Sequence, residues 1–417
     1  MEICAFSTFS TLRPHFDALA KAGYFKIVLR DRTPSQQAFH YAFRIVIWTL
    51  VIIYNLQHLV KVVQVRHSTN QLVDTLFILL TTLNALGKQV AFNLRRKRVD
   101  NIIRITNGAL FSATKPHHVK LIKQEAMLMS RLLKLYHLAG ASCGVLWSAY
   151  PIVNRVLGQP DQFTGYIPID TTPTTAFALA HAYMSMAITL QAYGNVTMDC
   201  TIVAFYSQAK TQIQILRHNL ENLLDGVKIN NRLIGSHNKH NVYSDNEDER
   251  ILLQRRFVQC VEHYKQIIGY VNEVGSIFGE AMAWQFLIMA WVICMTVYKI
   301  VGLSLLSAEF FSMAMYLGCM LAQLFIYCYF GTLLKYESEL VNQSVYSSEW
   351  LSLSPRFRRQ ILVTMQACCR PIAPKIAFVV PMSLETYISV SLHYTISFLN
   401  KIYTCIAHPT AEHRPTL

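Results

Sequence analysis

The 417 residues are 53% hydrophobic and only 15% charged, with a mean hydropathy of +0.28, too few charges to keep a soluble protein of this size wet. Ten irregularly spaced cysteines exclude a secreted disulfide scaffold, and the formal charge of +14 raises the question of nucleic acid. The apolar excess needs a solvent other than water, and a bilayer supplies it.

Seven stretches are near the roughly 20 residues that a spanning helix needs. In chain order they are Tyr41 to Val63, Val73 to Phe92, Leu135 to Val156, Pro173 to Phe205, Ala281 to Leu305, Phe310 to Leu334 and Ile376 to Ile406. The seventh is interrupted by Pro381, which removes a backbone donor and is expected to break it into two helical pieces. The first forty residues carry scattered charges and no compact apolar core, so the first span is expected to act as the insertion signal.

Lys and Arg are distributed by topology. Thirty of the 38 fall before span one, between spans two and three, four and five, or six and seven. The run Arg95-Arg96-Lys97-Arg98 abuts span two. These segments are therefore expected in the cytosol, which puts the N-terminus inside and the C-terminus outside. That pattern accounts for the net charge by anchoring against anionic lipid, with no nucleic acid. Arg44 and Lys88, near the cytosolic ends of their spans, are expected to snorkel. A G-protein-coupled receptor has the opposite orientation. Two sequons, at Asn195 and Asn342, fall in a span and on the cytosolic side, and read as chance.

Between spans four and five, Gln208 to Gly226 and Arg250 to Val274 read as helical extensions flanking the polar stretch Ser244 to Arg250. The chain has no Walker loop, GxGxxG, HExxH or GxSxG, so no enzyme, cofactor or metal chemistry is expected. His117 and His118 are neighbours in sequence and do not face each other on a helix, so they read as a soluble loop pair. Cys368-Cys369 reads as structural or palmitoylated thiols. Asp199, Glu280 and Glu385 near span ends are too scattered for one catalytic site, and a single broken helix argues against a transporter's paired ones.

Polar and aromatic groups inside spans are more informative. Trp147 and Tyr150 in span three, His181, Tyr183 and Met184 in span four, Met295, Thr296 and Tyr298 in span five, and Met313, Met315 and Tyr316 in span six lie in the outer halves. Of these, Trp147, Tyr150, His181, Met184 and Tyr316 are expected to line an outward-facing apolar cavity with a few polar handles.

The C-terminal region carries a resemblance. Arg370-Pro-Ile-Ala-Pro-Lys-Ile-Ala-Phe-Val-Val-Pro-Met-Ser-Leu-Glu-Thr-Tyr-Ile388 and Ser391 to Leu399 resemble the closing motif of insect odorant receptors. Tyr327 to Leu334, Tyr346 to Trp350 and Arg356 to Arg359 are similar to the same family's pattern. Gustatory receptors share the inverted topology but usually end in a different motif. The resemblance implies an all-α polytopic membrane protein with seven transmembrane helices, cytosolic N-terminus, extracellular C-terminus and a last helix broken at Pro381. It divides the chain into a cytosolic segment (1–40), six spans with cytosolic extensions (41–334), a cytosolic anchor (335–375), a pore-forming last helix (376–406) and an extracellular tail (407–417).

It further implies a tetrameric ligand-gated cation channel in the plasma membrane of the olfactory neuron dendrite, opened by a small volatile odorant. The family pairs odour-tuned subunits with a common coreceptor, Orco, which has a longer linker between spans four and five. The short linker here resembles that of a tuned subunit. Carried onto this chain, the pore face of the last helix groups Val390, His393 or Tyr394, Ser397, Asn400 and Lys401. Where the family places an apolar gate, this chain has Ser397, Asn400 and Lys401, so Lys401 either faces the pore or snorkels to the outer surface.

Overall fold

The structure is a computed structural model that describes residues 7–26, 33–158, 163–225, 247–301, 308–376 and 380–391. Within them the chain is a bundle of long helices. These are α1 (Arg13–Lys21), α2 (Pro34–Gln64), α3 (Thr69–Leu94), α4 (Arg96–Thr106), α5 (Pro116–Val156), α6 (Thr174–Glu221), α7 (Glu247–Val301), α8 (Ala308–Ser347) and α9 (Pro355–Cys368). Proline starts several of them. Pro34, Pro116 and Pro355 each occupy the first helical position, where a missing N–H costs nothing and φ is already set. Ser354 completes the start of α9 by accepting the Phe357 N–H at 3.2 Å.

Among the described residues, four helices are long and apolar enough to cross a membrane on length and composition: Pro34–Gln64, Gln71–Leu94, Asp248–Val297 and Phe310–Ser347. Helix α2 shows why. Ile45, Val46, Ile52, Ile53, Leu56, Leu59, Val60 and Val63 all lie exposed along it, an apolar band suited to lipid. Helices α5 and α6 mix polar groups with apolar ones and bury them against each other. In α6 the run from Thr197 to Ile213 is buried all round.

The helical extensions expected around the four–five linker are present, as the ends of α6 and the start of α7. The segment before α2 does more than lead into the bundle. Leu12 just before α1, Phe16 and Leu19 within it, and Tyr24 and Phe25 after it are buried in the main core beside Phe92, Phe205 and Phe278. Gly194 on α6 makes room, since a Cβ there would overlap the Tyr24 ring.

The basic run after α3 also packs. In α4, Val99, Ile102, Ile103 and Thr106 form one buried stripe at helical spacing. Arg98 makes a two-pronged bond to Glu273 at 2.7 and 2.9 Å. Arg95 donates to the carbonyls of Ser276 and Ile277 and to Glu280. Two of the four basic residues thus dock α4 on α7.

Pro381 falls at the expected break, but the stretch before it is not a helical piece. Lys375–Ile376 pairs antiparallel with Val380–Pro381 in a two-residue strand pair, and Pro371, Pro374 and Pro381 deplete the donors that a helix would need. Helix resumes at 384–391, where Ser383 accepts the Thr386 N–H at 3.2 Å. The helix is seated on α8. The Leu384 N–H donates to Thr332 Oγ1 at 2.9 Å, and the Met382 carbonyl lies where a Cβ on Gly331 would stand.

Candidate functional site

Helices α3, α5, α6 and α8 enclose a chamber of about 190 Å³. Its walls are aromatic at one end. The Phe77 ring lies 4.4 Å from that of Tyr316 and stacks at 6.3 Å on Trp147, at 15° between planes. Thr81 and Tyr316 share a 2.8 Å hydrogen bond between their hydroxyls, so neither is left unsatisfied. Gly140 and Gly144 on α5 leave space where side chains would intrude, and the thiols of Cys143 and Cys319 meet in the wall.

At the other end the chamber turns polar. Gln191 and Asn195 of α6 are buried, at 2% and 8% exposure. Both amide polar atoms of Gln191 and the side-chain oxygen of Asn195 lack a hydrogen-bond partner among the described residues. Buried amides without partners are costly, and a ligand's polar atom can relieve them.

The floor is a buried charge cluster. Lys88 of α3 and Asp199 of α6 are paired at 2.5 Å, at 0% and 3% side-chain exposure. Tyr327 of α8 donates to the same carboxylate at 2.7 Å, and Gln323, which lines the chamber, donates to its other oxygen. Lys88 therefore does not snorkel. It has a carboxylate in reach, and the tightly packed α3–α6 contact leaves no route to solvent. Asp199, which the sequence left isolated, is the centre of this cluster.

A second chamber of about 220 Å³ lies nearer the α5–α6 connection. Tyr54, Asp74, Phe163, His181, Met184 and Met313 line it, and Lys299 pairs with Asp74 at its side. Trp147 and Ile188 line both chambers, so Trp147 stands as the partition between them.

Of the five expected cavity residues, Tyr316 lines the deep chamber, His181 and Met184 the second, and Trp147 both. The side chain of Tyr150 lies outside the described residues. Met315 is exposed, and Thr296 bonds the Val292 carbonyl of its own helix at 2.8 Å. Val390 packs against the cluster of Met289, Leu324 and Cys328 from α7 and α8, while Ile388 is exposed. The other pore candidates, His393, Ser397, Asn400 and Lys401, lie outside the described residues.

Sequence reasoning missed Phe77, Thr81, Gln191 and Asn195. The first two look like ordinary span residues, and only the crossing of α3 with α8 brings them to Tyr316. It also separated His117 and His118 from a third imidazole. His218, in the last turn of α6, lies between them, 3.2 Å from His118 by Nδ1 to Nε2. Burial and the neighbouring His218, Lys115 and His117 push His118 down to about 4, so it is neutral at physiological pH.

The sequence profile of the family described as 7tm Odorant receptor matches residues 68–391, from the start of α3 into the last helix. The chain belongs to that family. It is 20% identical to odorant receptor Or1 of Anopheles gambiae over 343 residues, 81% of this chain and 80% of that one. It is 25% identical to the odorant receptor coreceptor of Drosophila melanogaster, over 34% of this chain and 29% of the other. The fold is that of the olfactory receptor OR5 of Machilis hrabei, with a TM-score of 0.78 at 14% identity, covering 93% of this chain and 96% of OR5. The OR5 structure in complex with eugenol gives 0.77. The protein is thus an all-α polytopic membrane protein of the odorant receptor type, with no enzyme activity.

Proposed function

We propose that this odorant receptor is the odour-tuned subunit of a heteromeric ligand-gated cation channel in the plasma membrane, partnered by the coreceptor Orco. The observation that carries this reading is the deep chamber whose floor residue, Gln323, holds Asp199. Asp199 also holds Tyr327, and one turn further along α8 lie Gly331 and Thr332, on which the last helix is seated. A ligand that shifts Gln323 acts on the helix face that anchors the last helix. The charge pattern supports a cytosolic N-terminus, and tags at the two ends, probed on intact cells, test it.

The ligand is a small, largely apolar aromatic or heteroaromatic volatile, stacking near Phe77, Trp147 and Tyr316. One hydrogen-bonding atom on it meets Gln191 or Asn195. Tyr316→Ala or Trp147→Ala is expected to shift the odour dose–response by about tenfold or more. An aromatic contact contributes roughly 0.5–1.5 kcal/mol beyond its burial, and roughly 1.4 kcal/mol is a factor of ten. Unchanged sensitivity in both, at parental surface expression, places the ligand elsewhere.

The partner claim rests on Lys401. If Lys401 faces the pore rather than snorkelling, four ammonium groups about 8 Å apart around a cation pore repel by roughly 0.5 kcal/mol per pair, about 3 kcal/mol in all. Three coreceptor helices with one Lys401 avoid that repulsion. Cells expressing this chain alone are expected to give no odour-evoked current, and cells expressing it with Orco a clear one. Robust current from the chain alone refutes the partner claim.

A further inference from the structure

Helix α5 begins and helix α6 ends at one place, and three imidazoles meet there. His117 and His118 come from the first turn of α5 and His218 from the last turn of α6. One ring nitrogen from each lies within 4.8 Å of the others. The His117 and His218 rings stack at 4.3 Å, and His118 meets His218 edge-on at 5.1 Å. We propose that His117, His118 and His218 form a binding site for a divalent transition metal of the zinc class, clamping the start of α5 to the end of α6.

The spacing fits such an ion. Zinc binds imidazole nitrogen at roughly 2.0–2.1 Å in tetrahedral geometry, which sets two ligand nitrogens about 3.3 Å apart. The His118 Nε2 to His218 Nδ1 distance is 3.2 Å, a hydrogen bond between the rings, so the two nitrogens are already close enough and binding turns the rings until both lone pairs meet at the ion in place of that bond. His117 is exposed and turns about its side-chain torsions to leave the stack and aim a lone pair inward. Three imidazoles with one open position suit zinc, copper or nickel over calcium or magnesium, which take oxygen.

The electrostatic setting divides. Lys115 lies close and opposes a cation, but its ammonium is engaged with Asn219 Oδ1 at 3.0 Å. Glu221 and Asp225 act on His218 with the opposite sign. The carbonyl end of α6 favours positive charge, which offsets the N-terminal end of α5.

The test uses the full chain, purified through a tag without histidine and stripped with chelator, and titrated with Co2+ followed by its visible absorption. The expected result is one saturable equivalent, displaced by Zn2+. His117→Ala and His218→Ala are each expected to weaken it about tenfold or more. His117 is exposed, so its replacement leaves the packing intact, and matching size-exclusion profiles confirm that. Absence of saturable binding in the parent, or parental affinity in His117→Ala, overturns the site.

Discussion

Lys88→Met is expected to strip most of the receptor from the cell surface and to lower the melting temperature of the purified chain sharply. The substitution leaves the Asp199 carboxylate at 3% exposure without its cation and, among the described residues, with Gln323 and Tyr327 as its remaining partners. Removing one partner of a buried pair costs about 3–5 kcal/mol, a large share of a typical total stability. Desolvating a charge is expensive, and the pair's attraction only repays that cost when both members are present. Adding Asp199→Asn to Lys88→Met therefore restores much of the loss, because the amide keeps an acceptor for its neighbours without the charge. If the single variant melts with the parent, the pair is not buried as described. If the double variant is worse than the single, the carboxylate is needed for something beyond its charge.

Gly331→Ala is expected to abolish odour-evoked current in the coexpressed channel while leaving surface expression near the parent. Inside a helix, alanine normally gains about 1 kcal/mol over glycine, so an unconstrained site would be stabilised. Here the new methyl overlaps the Met382 carbonyl and side chain, at the point where the last helix is seated. Met382 is buried and its N–H is fixed to the Pro374 carbonyl at 3.0 Å, so it has little room to retreat. Overpacking of this kind costs about 1–3 kcal/mol. It falls on the junction between α8 and the last helix, the step that follows ligand binding in the proposed mechanism. Parental currents from Gly331→Ala show that this contact does not transmit gating.

The long spans were legible because hydropathy over 20 residues reports burial in lipid directly, as in α2. Half of the candidate site was legible for a related reason. Trp147 and Tyr316 are large aromatic groups in spans, and such groups seek cavities and interfaces. What escaped depends on which helices cross. Lys88 and Asp199 are 111 residues apart, and no local pattern pairs them. A lysine near a span end reads as a snorkelling one until its partner is known. Gln191 and Asn195 read as tolerated polar residues on α6 until the chamber is seen against them. The strand pair before Pro381 is the opposite case. Pro371 and Pro374 ahead of the pair and Pro381 within it are visible in the sequence, but the apolar run around them reads as helix.

The docking of residues 12–25 beneath α6 sets an order on biosynthesis. Tyr24 reaches the carbonyl of Leu190 and packs on Gly194, so its binding place does not exist until about 170 further residues have been made. At roughly 5–20 residues per second, that is an interval of about ten to thirty seconds. During it Leu12, Phe16, Leu19 and Phe25 have one another and, once α3 is made, Phe92, but they lack Phe205 and Phe278 and stay partly open to chaperones. The earliest part of this segment to leave the ribosome is thus a late part to find its place, and its capture marks a bundle whose sixth helix has arrived.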